Sequence, residues 1–372
     1  MAKRYSMGKV KRYRHSFYSG RMYLIKKVAS FVLLIAAVFV VGFLVAPSVL
    51  DWGTHLWYTQ IKGVDLDSST AASSTSTPAA SDAASEPAAS QAPAPTPAAV
   101  ITDGTWATVS LAGLNTPESI EQTAQTLAGQ GVNYAMVTLK DSSGYVTYAS
   151  GVANAARSIA ATTIDASATA AALKANGITP VACICAFRDP IACYTDREMA
   201  IRYTGSDYLW LDAAADAGGK PWLSPYSDMA CAYIGDLIEE AYSMGYEQVI
   251  LSAVQFPSYV SAKQDFGDTA GRDRAAQLAL RVSEWNTRFA SNVTIWYEVP
   301  YSDCVTAGTD LGEQTPDLLG VQNLVIRMPQ QAEPADSASS QTPVDGGAAA
   351  QAMKNGGCAN VLVRDNDTFV CY

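Results

Sequence analysis

In the C-terminal two thirds of the chain, continuous apolar runs alternate with segments whose apolar residues recur every three or four positions. The run at 248–257, interrupted by Ser252 and Gln255, is typical of a strand buried on both faces in a parallel sheet. It follows an amphipathic helix predicted at 227–244, with Ser227 as its N-cap. This helix–strand unit is the pattern that the rest of the domain repeats.

The repetition predicts an α/β fold. We predict further helices at 117–128, 165–176 and 269–290, and six more strands at 106–111, 132–139, 178–187, 292–299, 318–326 and 359–363. Repeated β-then-α units imply a parallel sheet, and the length suits a (β/α)8 TIM-type barrel. Seven strands leave that barrel one short, and a Gly/Ala/Ser/Pro-rich insertion at 330–347 is expected to be poorly ordered. A doubly wound sheet is the alternative, although its usual Gly-rich nucleotide-binding turn is absent.

The N-terminal part has the pattern of a membrane anchor. Residues 1–27 contain nine Lys and Arg and no acid, and residues 28–50 are apolar and uncharged. Such a run is long enough to cross a bilayer, and basic residues before a span stay in the cytoplasm. We therefore predict a cytoplasmic basic segment at 1–27 and a single-pass, uncleaved transmembrane signal anchor at 28–50. The run is too long for a cleaved signal peptide.

The residues after the anchor predict an extracellular domain on a spacer. A juxtamembrane segment at 51–67 is followed at 68–99 by almost nothing but Ala, Ser, Thr and Pro, a composition that cannot bury a core. We predict a disordered linker there, and one extracellular domain at 100–372. The cell membrane is thus the expected location.

Charge and rare residues exclude several functions. Beyond residue 50 the chain carries 35 acidic and 16 basic side chains, which argues against a nucleic-acid partner. The two histidines, His15 and His55, lie before the domain, so Ser-His or Cys-His catalysis and a His-ligated metal are not expected. We predict no metal and no other cofactor. The seven cysteines form no C-x-x-C pair and are expected to be mostly buried, reduced thiols.

Polar residues directly after the predicted strands are the candidate site residues, because the carboxyl ends of barrel strands meet at one mouth. They are Lys140, Asp141, Arg188, Asp189, Ser252, Gln255, Glu298, Tyr301, Asp303 and Arg327. Nearby aromatic residues could stack on sugar rings, namely Trp210, Trp222, Tyr226, Trp296 and Tyr297. Simpler roles are open for several of them: Lys140 and Asp141 could close a turn, Arg188 and Asp189 could form a structural pair, and at least one of Trp296 and Tyr297 should lie in the core.

Four motifs resemble a known family. They are Lys140-Asp141-Ser-Ser-Gly144, Phe187-Arg188-Asp189-Pro190, Trp222-Leu-Ser-Pro225-Tyr226, and the stretch from Gly245-Tyr246-Glu247-Gln248-Val249 to Phe256-Pro257. Their order and spacing over about 105–326 resemble the glycosyl hydrolase-like domain family DUF4015, which is similar to α-amylase-type TIM barrels. The resemblance implies a (β/α)8 barrel that binds or cleaves polysaccharide.

The chain departs from this family pattern at one motif. The family reads F-D-Y-x-R-F-P where this chain has Leu251-Ser252-Ala253-Val254-Gln255-Phe256-Pro257, so the family aspartate falls on Ser252 and its arginine on Gln255. Glycoside hydrolysis normally needs two carboxylates, and a serine without a base cannot replace one.

Three functions stay open: a barrel that has lost or altered its hydrolytic activity and binds cell-envelope polysaccharide, an active glycosidase with a displaced carboxylate pair, or a non-enzymatic envelope assembly module that binds protein. The catalytic candidates are Asp141, Asp189 and Glu298. The substrate-binding candidates are Lys140, Arg188, Trp222, Tyr226, Ser252, Gln255 and Trp296.

Overall fold

The computed structural model describes residues 104–329, 344–366 and 368–372. The basic segment, signal anchor, juxtamembrane segment and linker predicted at 1–99 lie outside the described residues, as does most of the insertion. Within the described part, none of the helices combines the length and the apolarity that a membrane crossing requires.

The described residues form twelve strands. They are β1 (Trp106–Thr108), β2 (Tyr134–Lys140), β3 (Val146–Tyr148), β4 (Ile159–Ile164), β5 (Thr179–Cys185), β6 (Arg202–Tyr203), β7 (Gln248–Ser252), β8 (Gln264–Asp265), β9 (Thr294–Pro300), β10 (Asn323–Arg327), β11 (Asn360–Asp365) and β12 (Thr368–Cys371). Strands β6 and β8 form a small antiparallel pair, and the other ten belong to one mixed sheet.

Seven α-helices accompany the strands: α1 (Pro117–Gly129), α2 (Ala166–Ala175), α3 (Pro190–Thr195), α4 (Asp228–Ser243), α5 (Arg274–Phe289), α6 (Tyr301–Val305) and α7 (Gly346–Gly356). Six of them begin at a Thr, Ser or Asp whose side chain accepts a hydrogen bond from the backbone N–H three residues on. Each such cap stabilises a helix by about 1 kcal/mol. The polar residue before each apolar pattern thus fixes where the helix starts.

The order of strands in the main sheet brings its two ends together. Strands β2, β5, β7, β9, β10 and β11 pair in parallel in that order, β1 pairs in parallel with β2, and β12 pairs antiparallel with β11. The ring of Trp106 on β1 stacks on that of Phe369 on β12, with 4.8 Å between their centroids. The sheet is therefore curled in a TIM-barrel-like arrangement, with an antiparallel strand in the eighth position.

Alternate residues of these strands form a separate inner cluster. Each of seven strands supplies one buried residue to it, namely Trp106, Met136, Val181, Ile250, Trp296, Val325 and Leu362. The intervening residues face outward and pack with the helices in a larger core. Since side chains in a strand alternate between two faces, residues two positions beyond this inner layer point toward the carboxyl-end mouth of the curled sheet.

Most of the predicted elements are confirmed, with shorter strands than expected. All seven predicted strands and all four predicted helices are present. The interpretation of 330–347 as a poorly ordered insertion is wrong at its end, because α7 begins at Gly346, capped by Asp345. All seven cysteines are free thiols, five of them buried and two half-buried.

Candidate functional site

A cavity of about 750 Å³ opens at the carboxyl ends of the curled strands. Its wall contains one or two inward-facing residues from each of several strands: Thr138 and Lys140 of β2, Cys183 and Cys185 of β5, Ile250 and Ser252 of β7, Glu298 of β9, Arg327 of β10 and Arg364 of β11. A second cavity of about 640 Å³ adjoins it and shares the Glu298, Arg327 and Arg364 side of the wall.

Seven of the ten residues predicted as catalytic or substrate-binding line the first cavity. They are Lys140, Asp141, Arg188, Trp222, Ser252, Gln255 and Glu298. Three do not: Asp189, Tyr226 and Trp296. The motif positions therefore do converge, but part of each motif serves the fold.

Asp189 is a structural residue of the buried layer beneath the mouth. Its Oδ2 lies 3.1 Å from Lys140 Nζ, and both side chains are almost completely buried. Its Oδ1 accepts a hydrogen bond from Ala192 N, and Oδ2 accepts one from Tyr233 Oη. Every face of this carboxylate is occupied, which corrects the expectation that Asp189 is available for catalysis.

The same pair explains the glycine of the first motif. A Cβ on Gly144 would lie 2.5 Å from Asp189 Oδ1, and the backbone there has φ +87°. Only glycine fits both the left-handed conformation and the close approach. The K-D-x-x-G and F-R-D-P motifs thus form one structural unit around a buried ion pair. In that pair the partner of Asp189 is Lys140, whereas the structural alternative paired Asp189 with Arg188.

The aromatic candidates are all buried, and of Trp222, Tyr226 and Trp296 only Trp222 also lines the cavity. Trp296 is fully buried, because it precedes Glu298 by two positions on β9 and so belongs to the next layer down in the interior. It donates its indole N–H to Gln248 Oε1 at 2.9 Å. Tyr226 packs against Phe256 and Phe266 and donates its hydroxyl to the Arg272 carbonyl. Neither forms part of the cavity surface, so the expectation that they contact a sugar is corrected.

Strand β7 ends in an unusual conformation. Ala253 has φ +54°, a left-handed conformation that a residue with a side chain adopts at a cost of about 1–2 kcal/mol. Ser252 precedes it and is paired in register with Cys185 and with Glu298 on the neighbouring strands. The Cys185 thiol donates to the Arg188 carbonyl at 3.6 Å, and burial raises the pKa of this thiol. Position 252, where the family pattern has an aspartate, therefore faces the cavity beside Glu298.

A carboxyl pair that the motifs do not contain lies in the same wall. Asp303 and Asp310 are both buried and both line the cavity, and Gly308 between them leaves room for their Oδ1 atoms. Burial, and then the neighbouring Asp310 carboxylate, raises the pKa of Asp303 to about 6. Asp310 Oδ2 accepts hydrogen bonds from Gln255 Nε2 at 2.9 Å and from Ser258 Oγ at 3.4 Å. Asp303 Oδ2 is buried with no hydrogen-bond partner among the described residues.

Sequence reasoning named Asp303 only as a mouth residue and missed Asp310, which follows no strand. The spacing D-x4-G-x-D of Asp303, Gly308 and Asp310 was the available signal. It is short and common, so it indicates a carboxyl pair only once the loop is known to fold back on itself.

Glu298 differs from this pair because two arginines hold it. Its Oε2 lies 2.7 Å from Arg364 Nη1 and its Oε1 lies 3.5 Å from Arg327 Nε. For Asp303, by contrast, burial and a neighbouring like charge favour the protonated form. The cavity thus contains a paired carboxylate and a carboxyl that keeps its proton up to a higher pH.

Asp141 accepts hydrogen bonds from two backbone N–H groups of its own turn, those of Ser143 and Tyr145, both at 2.9 Å. It shapes the cavity rim while contributing negative charge. No cluster of three His, Cys, Asp or Glu side chains suited to a metal ion is found among residues 104–329, 344–366 and 368–372.

Solved structures with similar folds include a hypothetical protein from Ruminiclostridium thermocellum ATCC 27405, at 17% identity and a TM-score of 0.44 over 52% of this chain and 96% of that one. The GH20 exo-β-N-acetylglucosaminidase of Vibrio harveyi is 11% identical, with a TM-score of 0.45 over 71% of this chain and 41% of the enzyme. The GH20 β-N-acetylhexosaminidase of Streptomyces coelicolor A3(2) is 10% identical, with a TM-score of 0.40 over 70% of this chain and 47% of the enzyme. The chain thus spans less than half the length of either enzyme. No curated protein matches it.

The family comparison gives a match over residues 107–293, half of the chain. This region contains all four motifs and runs from β1 to the residue before β9. Five charged residues of the cavity wall lie beyond it, namely Glu298, Asp303, Asp310, Arg327 and Arg364. By this match the chain belongs to the DUF4015 family, described as "Putative glycosyl hydrolase domain".

Proposed function

We propose that this domain binds a polysaccharide chain in the cavity at the carboxyl ends of its strands. The observation that carries the proposal is the cavity wall itself, in which hydroxyl, amide, carboxylate and guanidinium groups converge with one indole ring. Sugars need this combination, because their rims form hydrogen bonds in both senses while their C–H faces are apolar. The family to which the chain belongs makes a glycan the expected ligand class.

Trp222 is the residue best suited to contact a sugar face. It lines the cavity, and its indole N–H donates to Asp212 Oδ2 at 2.9 Å, which fixes the orientation of the ring. An aromatic ring that is held in place loses little conformational freedom on binding. Gln255 is fixed in the same way by Asp310, so two groups of the site are preorganised.

Binding is tested with the full-length chain in detergent micelles, using soluble plant and bacterial polysaccharides as probes and following tryptophan fluorescence and co-sedimentation. Trp222→Ala should weaken binding by about tenfold or more, as expected for an anchor residue at an interface. Tyr208→Ala is a matched control, since Tyr208 is exposed and outside the cavity. Absence of binding to every probe, or equal affinities for both variants, would contradict the proposal.

A second candidate function is hydrolysis with a displaced carboxyl pair, and the raised pKa of Asp303 favours it. In this reaction the Asp303 carboxyl gives its proton to the glycosidic oxygen as the C–O bond breaks. Water then forms a bond to the sugar carbon, and the proton it loses returns to the Asp303 carboxylate. Glu298, which forms ion pairs with Arg327 and Arg364, is the carboxylate available to stabilise positive charge on the sugar.

Hydrolysis is measured as the release of reducing ends from any polysaccharide that the chain binds. Asp303→Asn should abolish release while leaving binding within about threefold, because the amide keeps the shape but has no acidic proton. The rate should fall as pH rises through about 6, since the acid must be protonated. Binding without any release of reducing ends would reject this candidate and leave the first one standing.

We also propose that the domain acts outside the cell, held at the membrane by residues 28–50 on the linker at 68–99. The uncharged apolar run and the nine basic residues before it support this orientation. Protease added to intact cells should cleave the linker and release the domain, whereas residues 1–27 should be protected. Protection of the domain in intact cells would contradict the orientation.

A further inference from the structure

Two arginines stand side by side at the carboxyl ends of adjacent strands. Arg327 on β10 and Arg364 on β11 are direct partners in the parallel register, and both line the second cavity of about 640 Å³. Like charges at neighbouring positions of a sheet repel each other and destabilise it. An arrangement with this cost requires either a compensating charge in the protein or a negatively charged ligand.

Among residues 104–329, 344–366 and 368–372, Glu298 is the one acid within ion-pair distance of either arginine, and it lies closer to Arg364 than to Arg327. Glu298 contacts Arg364 at 2.7 Å, and Arg364 also donates its Nε–H to the Asn366 carbonyl and lies over the Phe369 ring. Arg327 has only the 3.5 Å contact of its Nε with Glu298, and 55% of its side chain is exposed. The two terminal nitrogens of Arg327 have no hydrogen-bond partner among the described residues.

The charge balance of the second cavity is therefore positive. Its charged lining residues are Glu298, Arg327 and Arg364, which sum to one net positive charge. In the buried pair of Lys140 and Asp189, by comparison, one cation faces one carboxylate. The terminal nitrogens of Arg327 thus have donors to spare within the part of the chain that the structure describes.

We propose that this second cavity binds an anionic group of the polysaccharide, a carboxylate of a uronic acid or a phosphate of a sugar-phosphate backbone. The inference rests on the proposed polysaccharide binding and adds the substrate class to it. Guanidinium groups match the planar geometry of both anions and bind them through two parallel hydrogen bonds. The first cavity then holds the neighbouring sugar, because the two cavities share the Glu298, Arg327 and Arg364 side of the wall.

The test measures binding of the full-length chain in detergent to polygalacturonate, to a poly(glycerol phosphate) and to neutral dextran. One anionic polymer should bind at least about tenfold more tightly than dextran. Preference for polygalacturonate would identify the anionic group as a carboxylate, and preference for poly(glycerol phosphate) would identify it as a phosphate. Arg327→Gln should remove about tenfold or more of that affinity, as expected for a charged hydrogen bond, and leave dextran binding within about threefold. Arg157→Gln is the matched control, because Arg157 is exposed and lines neither cavity.

A second variant separates ligand binding from a structural role. Glu298→Gln removes the compensating carboxylate and raises the charge of the cavity, so it should tighten binding of the anionic polymer. If the three charges serve only the fold, Glu298→Gln should weaken binding, because two arginines without an acid would destabilise the domain. Melting temperatures of all variants identify that case.

The outcomes also separate this inference from the proposed function. Equal affinity for dextran and the anionic polymers would overturn the anionic site while polysaccharide binding stands. Binding of free glucuronate or inorganic phosphate that depends on Arg327, without binding of any polymer, would support the anionic site and overturn the proposed function. Binding of none of these probes would overturn both.

Discussion

The Nζ atom of Lys140 lies 3.1 Å from Oδ2 of Asp189, with both side chains enclosed by the protein. The two residues come from different motifs, 49 positions apart, and the motifs meet only because β2 and β5 are neighbours in the sheet. Lys140 also donates to the carbonyl groups of Cys185 and Ala186 at the end of β5. The pair therefore ties two strand ends together at the floor of the cavity.

Replacing Asp189 with Asn should destabilise the domain strongly. The amide keeps the oxygen that caps α3, but it leaves Lys140 as a buried charge without a counter-ion. Breaking a buried pair in this way costs about 3–5 kcal/mol in the free energy of unfolding. Asp165→Asn is the control, because Asp165 caps α2 at an exposed position and Asn is an equally good cap. Urea unfolding followed by tryptophan fluorescence compares the two, and equal small losses would contradict a role for the ion pair.

Replacing Gly144 with Ala should cost more than the same change at Gly177. Both glycines have a left-handed backbone, with φ +87° and +75°, which costs an alanine about 1–2 kcal/mol. A methyl group on Gly177 meets no atom within 4 Å, whereas on Gly144 it would lie 2.5 Å from Asp189 Oδ1. The clash should add about 1–3 kcal/mol to the loss at Gly144. Thermal unfolding measures both variants, and equal shifts in melting temperature would show that the loop moves aside.

Much of the curled sheet could be predicted from the sequence, because its strands are buried on both faces and therefore appear as continuous apolar runs. The eighth strand could not. In β12 the burial alternates, and the strand begins only three positions after the end of β11, so the pattern of a β-then-α unit is absent there.

The sequence predicts the part of the site that lies directly after the strands. Residues directly after strands, such as Lys140 and Glu298, reach the cavity because the strand positions them. Periodicity cannot tell which layer of the interior a residue occupies, so Trp296 was placed at the mouth although it lies one layer below. Asp310 depends on how the loop after α6 folds back toward Gln255, a contact between residues 55 positions apart that no local pattern indicates.

Replacing Ser252 with Asp should not create hydrolytic activity by itself. The new carboxylate would stand in register beside Glu298, at the spacing of neighbouring strands, and the repulsion should raise its pKa. The residues that the family pattern places after it, a tyrosine and an arginine, are Ala253 and Gln255 here. We expect a loss of about 1–3 kcal/mol in stability and an unchanged release of reducing ends. A single substitution that gives robust turnover would contradict this expectation.

Asp303 should make the stability of the domain depend on pH in the direction opposite to that of an ordinary surface carboxylate. Its pKa is raised from 3.8 to about 6 in the folded domain, so the fold prefers the protonated form. The stabilisation is fully present below pH 3.8 and is lost as pH rises through about 6. Asp303→Asn cannot titrate, so the wild type should become less stable relative to this variant between pH 4.5 and pH 7.5.

Urea unfolding of both proteins at a series of pH values in this window gives the difference between their free energies of unfolding. The contributions of all other titrating groups cancel in this difference. Asp310→Asn provides the control for the cause of the shift. It removes the like charge but leaves the burial of Asp303, so the midpoint of the pH dependence should move below 6 without returning to 3.8. A difference between wild type and Asp303→Asn that stays constant from pH 4.5 to 7.5 would mean that Asp303 is ionised throughout, and Asp303 would then be unable to act as an acid in the cavity.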